Sequence, residues 1–465
     1  MKPILLMLKK NWVAVVAVAL LLIALPVSWY FSSGWNAKVK SEQEKKATAA
    51  LTKVTSTSVE YVIPSYEPGV EAVRLKTEPN VDLTAWFKEQ REALSKQADE
   101  VGARAINFNK GVGPDAAAVG RREHRVLVEG LFPGTGDLSE AIYAMEDALL
   151  GKRGRPNPYQ EMLDRVRAGP PMDSQRLFEI LTDLQRAESD KITAAIKRPL
   201  TPDEQAKIDQ LLRDRRLAEY QRRSADISVY ASLDIYSQDG KRSSVMPNQA
   251  TFDALAKVSN INRQAQLYVW QWDTWVIDDV LAAIRLANTT AGGRPTDIEN
   301  SVVKRIDRLW IRDPEGIFGR PQPSDPLAAA MATPAPTDPG MAPIDRKVSV
   351  TGRIMDPSNT VYDIRRVELE VVVSSTRLDE LLVAINRANF MTVTDLDLTS
   401  VDPWSDLASG YYYGPEHVVK ATIGIETVWL RRWMAPLMPP AVRGQLGVPE
   451  DPAPAEAPSD GAADP

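Results

Sequence analysis

The stretch that decides the fold is 365–430. Residues 365–375 read RRVELEVVVSS, and Val367, Leu369, Val371 and Val373 recur with the period of two that marks a β-strand. Residues 376–390 read TRLDELLVAINRANF: Leu378, Leu381, Leu382 and Ile385 are spaced for one helical face, and Thr376 stands where an N-cap belongs. Residues 391–400, MTVTDLDLTS, form a second strand. Residues 418–430, VVKATIGIETVWL, form a third, with Val419, Ala421, Ile423, Ile425 and Trp429 inward. The order β–α–β–β with short connections predicts an α+β layer, antiparallel strands with helices on one face.

Working upstream, Ile227, Val229, Ala231, Leu233 and Ile235 alternate as a half-buried strand. Residues 264–288 are expected to be a helix burying Val276, Val280, Leu281, Ile284 and Ala287, and 302–312 a strand. Pro/Ala-rich 320–343 predicts a flexible loop, and 348–354 a further strand. Two passages then match. Ala283-Ile284-x-x-Ala287-Asn288 corresponds to Ala384-Ile385-x-x-Ala388-Asn389, and Val303-x-x-Ile306-Asp307 to Val393-x-x-Leu396-Asp397. Both end at Asp-Pro, 313–314 and 402–403. The matched order predicts two tandem ferredoxin-like β–α–β–β modules, 225–356 and 357–434.

At the other end, no charge occurs between Lys10 and Lys38. The apolar run from Trp12 to Phe31 matches a hydrocarbon core of about 30 Å, with Trp12, Trp29, Tyr30 and Trp35 as interfacial anchors. The bulky WYFSSGW that follows differs from the small-residue site of a cleaved signal peptide, which favours an uncleaved anchor over 11–33 after a cytoplasmic tail, 1–10. Lysines flank both ends, so charge bias does not set the orientation; an exported body is the expectation. Residues 34–106 are expected to form stalk helices and a linker. There Leu83, Phe87, Leu94, Val101 and Ala105 share a helical face, which would pair with a partner or pack on its own domain. Residues 107–224 predict a loop-rich and helical insertion, with helices over 174–197 and from Thr201-Pro202-Asp203-Glu204 to about 223.

Chemistry is scarce. The 465 residues hold no Cys and only His124 and His417, which excludes thiolate metal sites, thiol nucleophiles and disulfides. No P-loop, G-x-S-x-G, H-E-x-x-H or dinucleotide fingerprint occurs. Hence no catalytic residue, metal ligand or cofactor is assigned, and the expectation is a protein that is not an enzyme. The net charge of −6 comes almost wholly from Glu450, Asp451, Glu456, Asp460 and Asp464, in a Pro/Ala/Asp-rich tail, 435–465, expected to be disordered. A near-neutral body argues against nucleic-acid binding. Tyr268, Trp270, Trp272 and Trp275 suggest core, with Trp270 facing elsewhere as a candidate interface anchor. Tyr411, Tyr412 and Tyr413, between strands, are candidate contact residues, as are Phe87, Leu94 and Val101 in the stalk.

This layout, a short inner tail, one anchor, a stalk and ferredoxin-like modules, resembles the PilO family of type IV pilus assembly proteins and the similar GspM proteins of type II secretion. The carriers are the four segments quoted from 365–430. The resemblance implies a non-enzymatic scaffold in the bacterial inner membrane. It would be single-pass with its bulk in the periplasm, forming a homo- or heterodimer, with PilN-like or other assembly proteins as partners. The alternative is an anchored periplasmic module binding glycan or peptide through the Trp-rich region, which requires Trp270 exposed in a groove.

Overall fold

The computed structural model describes residues 11–55, 59–63, 73–77, 81–134, 136–196, 199–237, 245–312, 349–354 and 359–449. The chain divides into two units, 1–100 and 101–465.

In the first unit, helix α1 (Trp12–Thr55) runs unbroken for 44 residues, about 66 Å at 1.5 Å per residue. It carries the apolar run and continues into the polar Lys/Glu-rich segment without a break. Pro26 lies inside it, and from Trp12 to Leu51 none of its apolar residues is buried. By length and composition this helix could cross a membrane, a property that a signal sequence shares. A two-stranded antiparallel ribbon follows, β1 (Val59–Ile63) and β2 (Val73–Thr77), with Glu60 opposite Lys76 and ion-paired to Arg74 at 3.2 Å. This ribbon sits where only stalk helix and linker were expected. Helix α2 (Val81–Lys110) then begins.

The second unit is built on one six-stranded sheet. Its strands are β3 (Ala168–Gly169), β4 (Val229–Tyr230), β5 (Val303–Arg312), β6 (Tyr362–Ser374), β7 (Met391–Ser400) and β8 (Val418–Leu430), in the order β3-β4-β5-β6-β8-β7. The first two pairings are parallel and the other three antiparallel, so the sheet is mixed. Its helices include α3 (Ser139–Leu150), α4 (Pro158–Arg165), α5 (Ser174–Ile196), α6 (Pro202–Asp226), α7 (Asn260–Ala287), α8 (Leu378–Ala388) and α9 (Pro440–Leu446), besides shorter helical turns. Helices α7 and α8 lie against each other and against one face of the sheet, where Val367, Leu369, Val371, Ile423 and Ile425 join Val280, Ile284, Leu381 and Ile385 in one core. The other face buries Val372 against Tyr230, Ile298 and Tyr413.

Several expectations change here. The two tandem modules are not separate bodies: 225–356 and 357–434 contribute strands to the same sheet, joined through the β5–β6 pairing. The matched passages nonetheless occupy matched places. Each contributes a helix, α7 or α8, whose Ala-Ile-x-x-Ala face is buried, and each is followed by a strand, β5 or β7, that flanks the β6–β8 pair.

Residues 227–235 form only the two-residue β4, because Ser232 Oγ accepts from Asp234 N to start a 3-10 turn at Leu233–Tyr236; Val229 and Tyr230 are both buried, so burial does not alternate there. The expected strand at 348–354 is a turn over its described part, 349–354, closed by Ser349 N donating to Arg353 O at 2.8 Å around Gly352, whose φ of 78° favours glycine. Thr376 is not the N-cap of α8. Its Oγ1 lies 3.2 Å from Ser374 Oγ, and Arg377 takes the cap position while pairing with Glu380. The Thr201 N-cap does hold, with Pro202 at N1 and Glu204 closing a capping box.

Residues 107–224 are no appended insertion. Leu131, Met145, Leu149, Tyr159 and Leu163 sit in the same core as the sheet, because α3 and α4 cover α7. Nor is 435–449 disordered. Met438, Val442 and Leu446 are buried in that core, and Gly447 ends α9 in the left-handed conformation. The loop expected at 320–343 and the acidic residues of the tail lie outside the described residues.

Candidate interaction surfaces

The stalk face comes first. Along α2, Leu94 is 49% exposed and Val101 68%, large apolar side chains that no described part of the chain covers. Phe87 is half-buried and meets Trp86 edge-on at 4.9 Å, and Trp86 is itself exposed. The three residues Phe87, Leu94 and Val101 follow at seven-residue intervals, so a helix sets them in one row.

The C-terminal turn of α2 is fixed differently. Asn109 is buried, and its Nδ2 donates to Val428 O at 2.8 Å. Its Oδ1 accepts from Leu430 N at 2.9 Å and from Trp433 Nε1 at 2.8 Å. A short amide thereby joins the helix end to the last turn of β8. Phe108 adds a ring contact with Phe390 at 5.5 Å.

Beside Asn109 lies a buried polar centre. Arg121 Nε donates to Asp279 Oδ1 at 2.6 Å, and Arg121 also donates to the carbonyls of Phe108 and Asn109. Asn389 Nδ2 donates to Asp279 Oδ2, and His124 Nε2 lies 3.2 Å from that oxygen. Burial pushes the Asp279 carboxyl up, but the Arg121 guanidinium, His124 and Asn389 outweigh it and hold it below the ordinary carboxylate range. The rings of Trp275, Trp429 and Trp433 surround His124 at 5.3–6.0 Å. Every polar atom of Asp279 is thus spent on a neighbour, and the side chains of Arg121, His124 and Asp279 are 3% exposed or less. This is a packing device joining α2, α7, α8 and β8. Of its members only Asn389 carried a signal in the sequence, as the last residue of the repeat. Its counterpart Asn288 also ends a helix and is buried, with Oδ1 accepting from Val303 N at 2.8 Å. Asn288-Thr289-Thr290 has the form of a glycosylation acceptor, but its buried asparagine is a structural amide.

The Trp-rich run is core throughout. Tyr268, Trp272 and Trp275 are buried, and Trp270, the proposed anchor, is 7% exposed and edge-on to Phe252 at 5.2 Å. The groove that a glycan-binding reading requires is not formed there. Nor does the tyrosine loop present three free rings. Tyr413 is buried, donates to Asp406 Oδ2 at 2.7 Å and accepts from Arg305 Nη1 at 2.6 Å. The Arg305 guanidinium also lies 4.5 Å from the Tyr411 ring, and Tyr412 stacks on Tyr220. Burial pushes the Tyr413 hydroxyl up, Arg305 opposes it, and Asp406 and Asp307 add to the rise. These three residues fasten the loop to its own domain.

Strand β7 is the outer strand at one end of the sheet, and from Asp395 onward it is exposed, including Leu396 at 38% and Leu398 at 47%. Asp395 and Asp397 lie on this edge, and no group of three or more His, Cys, Asp or Glu placed to hold a metal occurs among the described residues. His417 is exposed just before β8. Comparison with known proteins finds no matching family model, no matching curated protein and no matching solved structure.

Proposed function

We propose that this chain is a membrane-anchored, non-enzymatic scaffold subunit, similar to PilO and GspM proteins, that helps assemble or align a type IV pilus or type II secretion machine. In this reading α1 is an uncleaved anchor in the bacterial inner membrane, the body lies in the periplasm, and PilN-like proteins are the partners. The observation that carries it is the pair of exposed apolar side chains Leu94 and Val101, seven residues apart on α2, placed after a long apolar helix and ahead of an α+β domain. An apolar row left open on a helix is the feature that a partner helix would bury.

The sheet supports the same reading. Taken alone, β5-β6-β8-β7 is a four-stranded antiparallel arrangement with α7 and α8 on one face. We read it as a single ferredoxin-like sandwich formed jointly by the two repeats, with its chain order permuted so that α7 and β5 come first. The open edge of β7 offers a second place for a partner strand.

Replacing Leu94 or Val101 by Asp tests the stalk directly. Each variant should leave the fold of the second unit intact and reduce co-purification of a membrane partner by about tenfold, since a charge in an apolar seam costs well over 1.4 kcal/mol. Undiminished recovery of the partner from both variants would remove the stalk as the interface.

A further inference from the structure

We infer that Arg91 makes α2 select a partner other than its own copy: a parallel helix carrying an aspartate or glutamate opposite Arg91. The inference rests on the stalk reading above and specifies the chemistry of the partner.

At about 100° per residue, Leu94, Ala98, Val101 and Ala105 all fall within about 40° of Phe87 on the helix circumference. Arg91 falls inside the same arc. The neighbouring charges Lys88, Glu92, Lys96, Asp99, Glu100 and Arg104 all lie about 100° or more from its centre. Arg91 is therefore the one charge set into the apolar stripe of this segment. It is exposed, and the adjacent acid Glu92 is engaged by Lys88 at 3.9 Å.

Written as a heptad, Phe87, Leu94 and Val101 occupy one seam position and Arg91, Ala98 and Ala105 the other. A parallel two-stranded pair sets each seam residue against its equivalent. Two copies of this chain would face Arg91 with Arg91, between layers where Phe87 and Leu94 exclude water. The flanking positions hold Lys88, Gln90, Ser95, Gln97, Gly102 and Arg104, with no acid to neutralise the pair. Sliding one helix by a heptad would separate the arginines, but it displaces the copies by about 10 Å along the axis. Anchors held at the same depth in one membrane oppose that shift when the stalk stands along the membrane normal. A carboxylate opposite Arg91 turns the repulsion into a charge-assisted hydrogen bond, and one polar residue at a seam position is enough to set partner choice.

The chain has no cysteine, so a single one reports cleanly. Full-length Leu94→Cys chains with and without Arg91→Glu, carrying tags of different size, are co-expressed in membranes, oxidised and separated without reductant. The mixed pair, one chain keeping Arg91 and the other carrying Arg91→Glu in an otherwise identical seam, should crosslink at least about tenfold more than the pair that keeps Arg91 in both chains. The pair with Arg91→Glu in both chains should also stay low, and Lys96→Cys, on the opposite face, should not crosslink in any combination. Efficient crosslinking of the chains that keep Arg91, equal to the mixed pair, would overturn the inference while leaving the stalk an interface. Absence of Leu94→Cys crosslinks in all three combinations would overturn both.

Discussion

Asp279→Asn should destabilise the second unit by about 3–5 kcal/mol, the cost of removing one partner from a buried charge pair. The substitution keeps the shape but leaves the Arg121 guanidinium, nearly inaccessible to water, facing a neutral amide. It also puts an NH2 donor where Asn389 donates and where His124 Nε2 lies. Urea unfolding of the detergent-solubilised full chain measures the loss, and a change below about 1 kcal/mol would mean that the pair is not buried as described. The effect carries a pH signature. A carboxyl held below its ordinary value contributes stability that is fully present above the unfolded value, near 4, and is lost as the pH falls through the lowered folded value. The difference between the two proteins should therefore be largest at neutral pH and shrink in acid. Replacing Arg121 and Asp279 together by apolar residues should not restore the loss, because the carbonyls of Phe108 and Asn109 and the Asn389 amide would be left buried without those partners.

Trp429→Ala is expected to cost a similar amount, about 3–5 kcal/mol. Trp429 is fully buried at the end of β8. Its ring contacts Trp272, Trp275, Trp433 and His124, and its Nε1 donates to Thr427 Oγ1 at 2.8 Å. Truncation opens a cavity where α7, β8 and the C-terminal turns meet, and rigid rings on three sides limit collapse into it. Trp429→Phe retains one ring and should cost roughly half as much, since the hydrogen bond is lost but much of the volume is kept. Equal losses for the two variants would show that packing is not what Trp429 supplies.

Much of this architecture was legible before any coordinates. The strands at 365–375, 391–400 and 418–430, the helix between the first two, and α7 with its inward Val276, Val280 and Ile284 follow from periodicity. That information is local, and the structure places these elements as expected. What periodicity does not carry is which strands share a sheet. Residues 225–356 and 357–434 have similar local patterns whether they form two bodies or one, and only the long-range β5–β6 pairing joins them. The same limit explains the tail. Pro439, Pro440 and Gly447 punctuate 435–449 as in a disordered segment, yet Val442 and Leu446 find an apolar surface on the folded core. The tyrosine run shows the converse error, because nothing near 411–413 in the chain announces Arg305 or Asp406 as its partners. The buried centre at Asp279 is likewise assembled from residues up to 280 positions apart, Asn109 and Asn389. The stalk row, by contrast, needed only helical spacing, and the exposure of Leu94 and Val101 is what the structure adds.

The central claim is that the apolar row on α2 is an interface with another membrane protein. A photo-activated crosslinking residue placed at Leu94, at Val101 and, on the opposite face, at Lys96 tests it most directly in intact membranes of the native host. The account predicts one discrete adduct with another membrane protein from positions 94 and 101, and none from position 96. No adduct from 94 and 101, or the same adduct from all three positions, would contradict it.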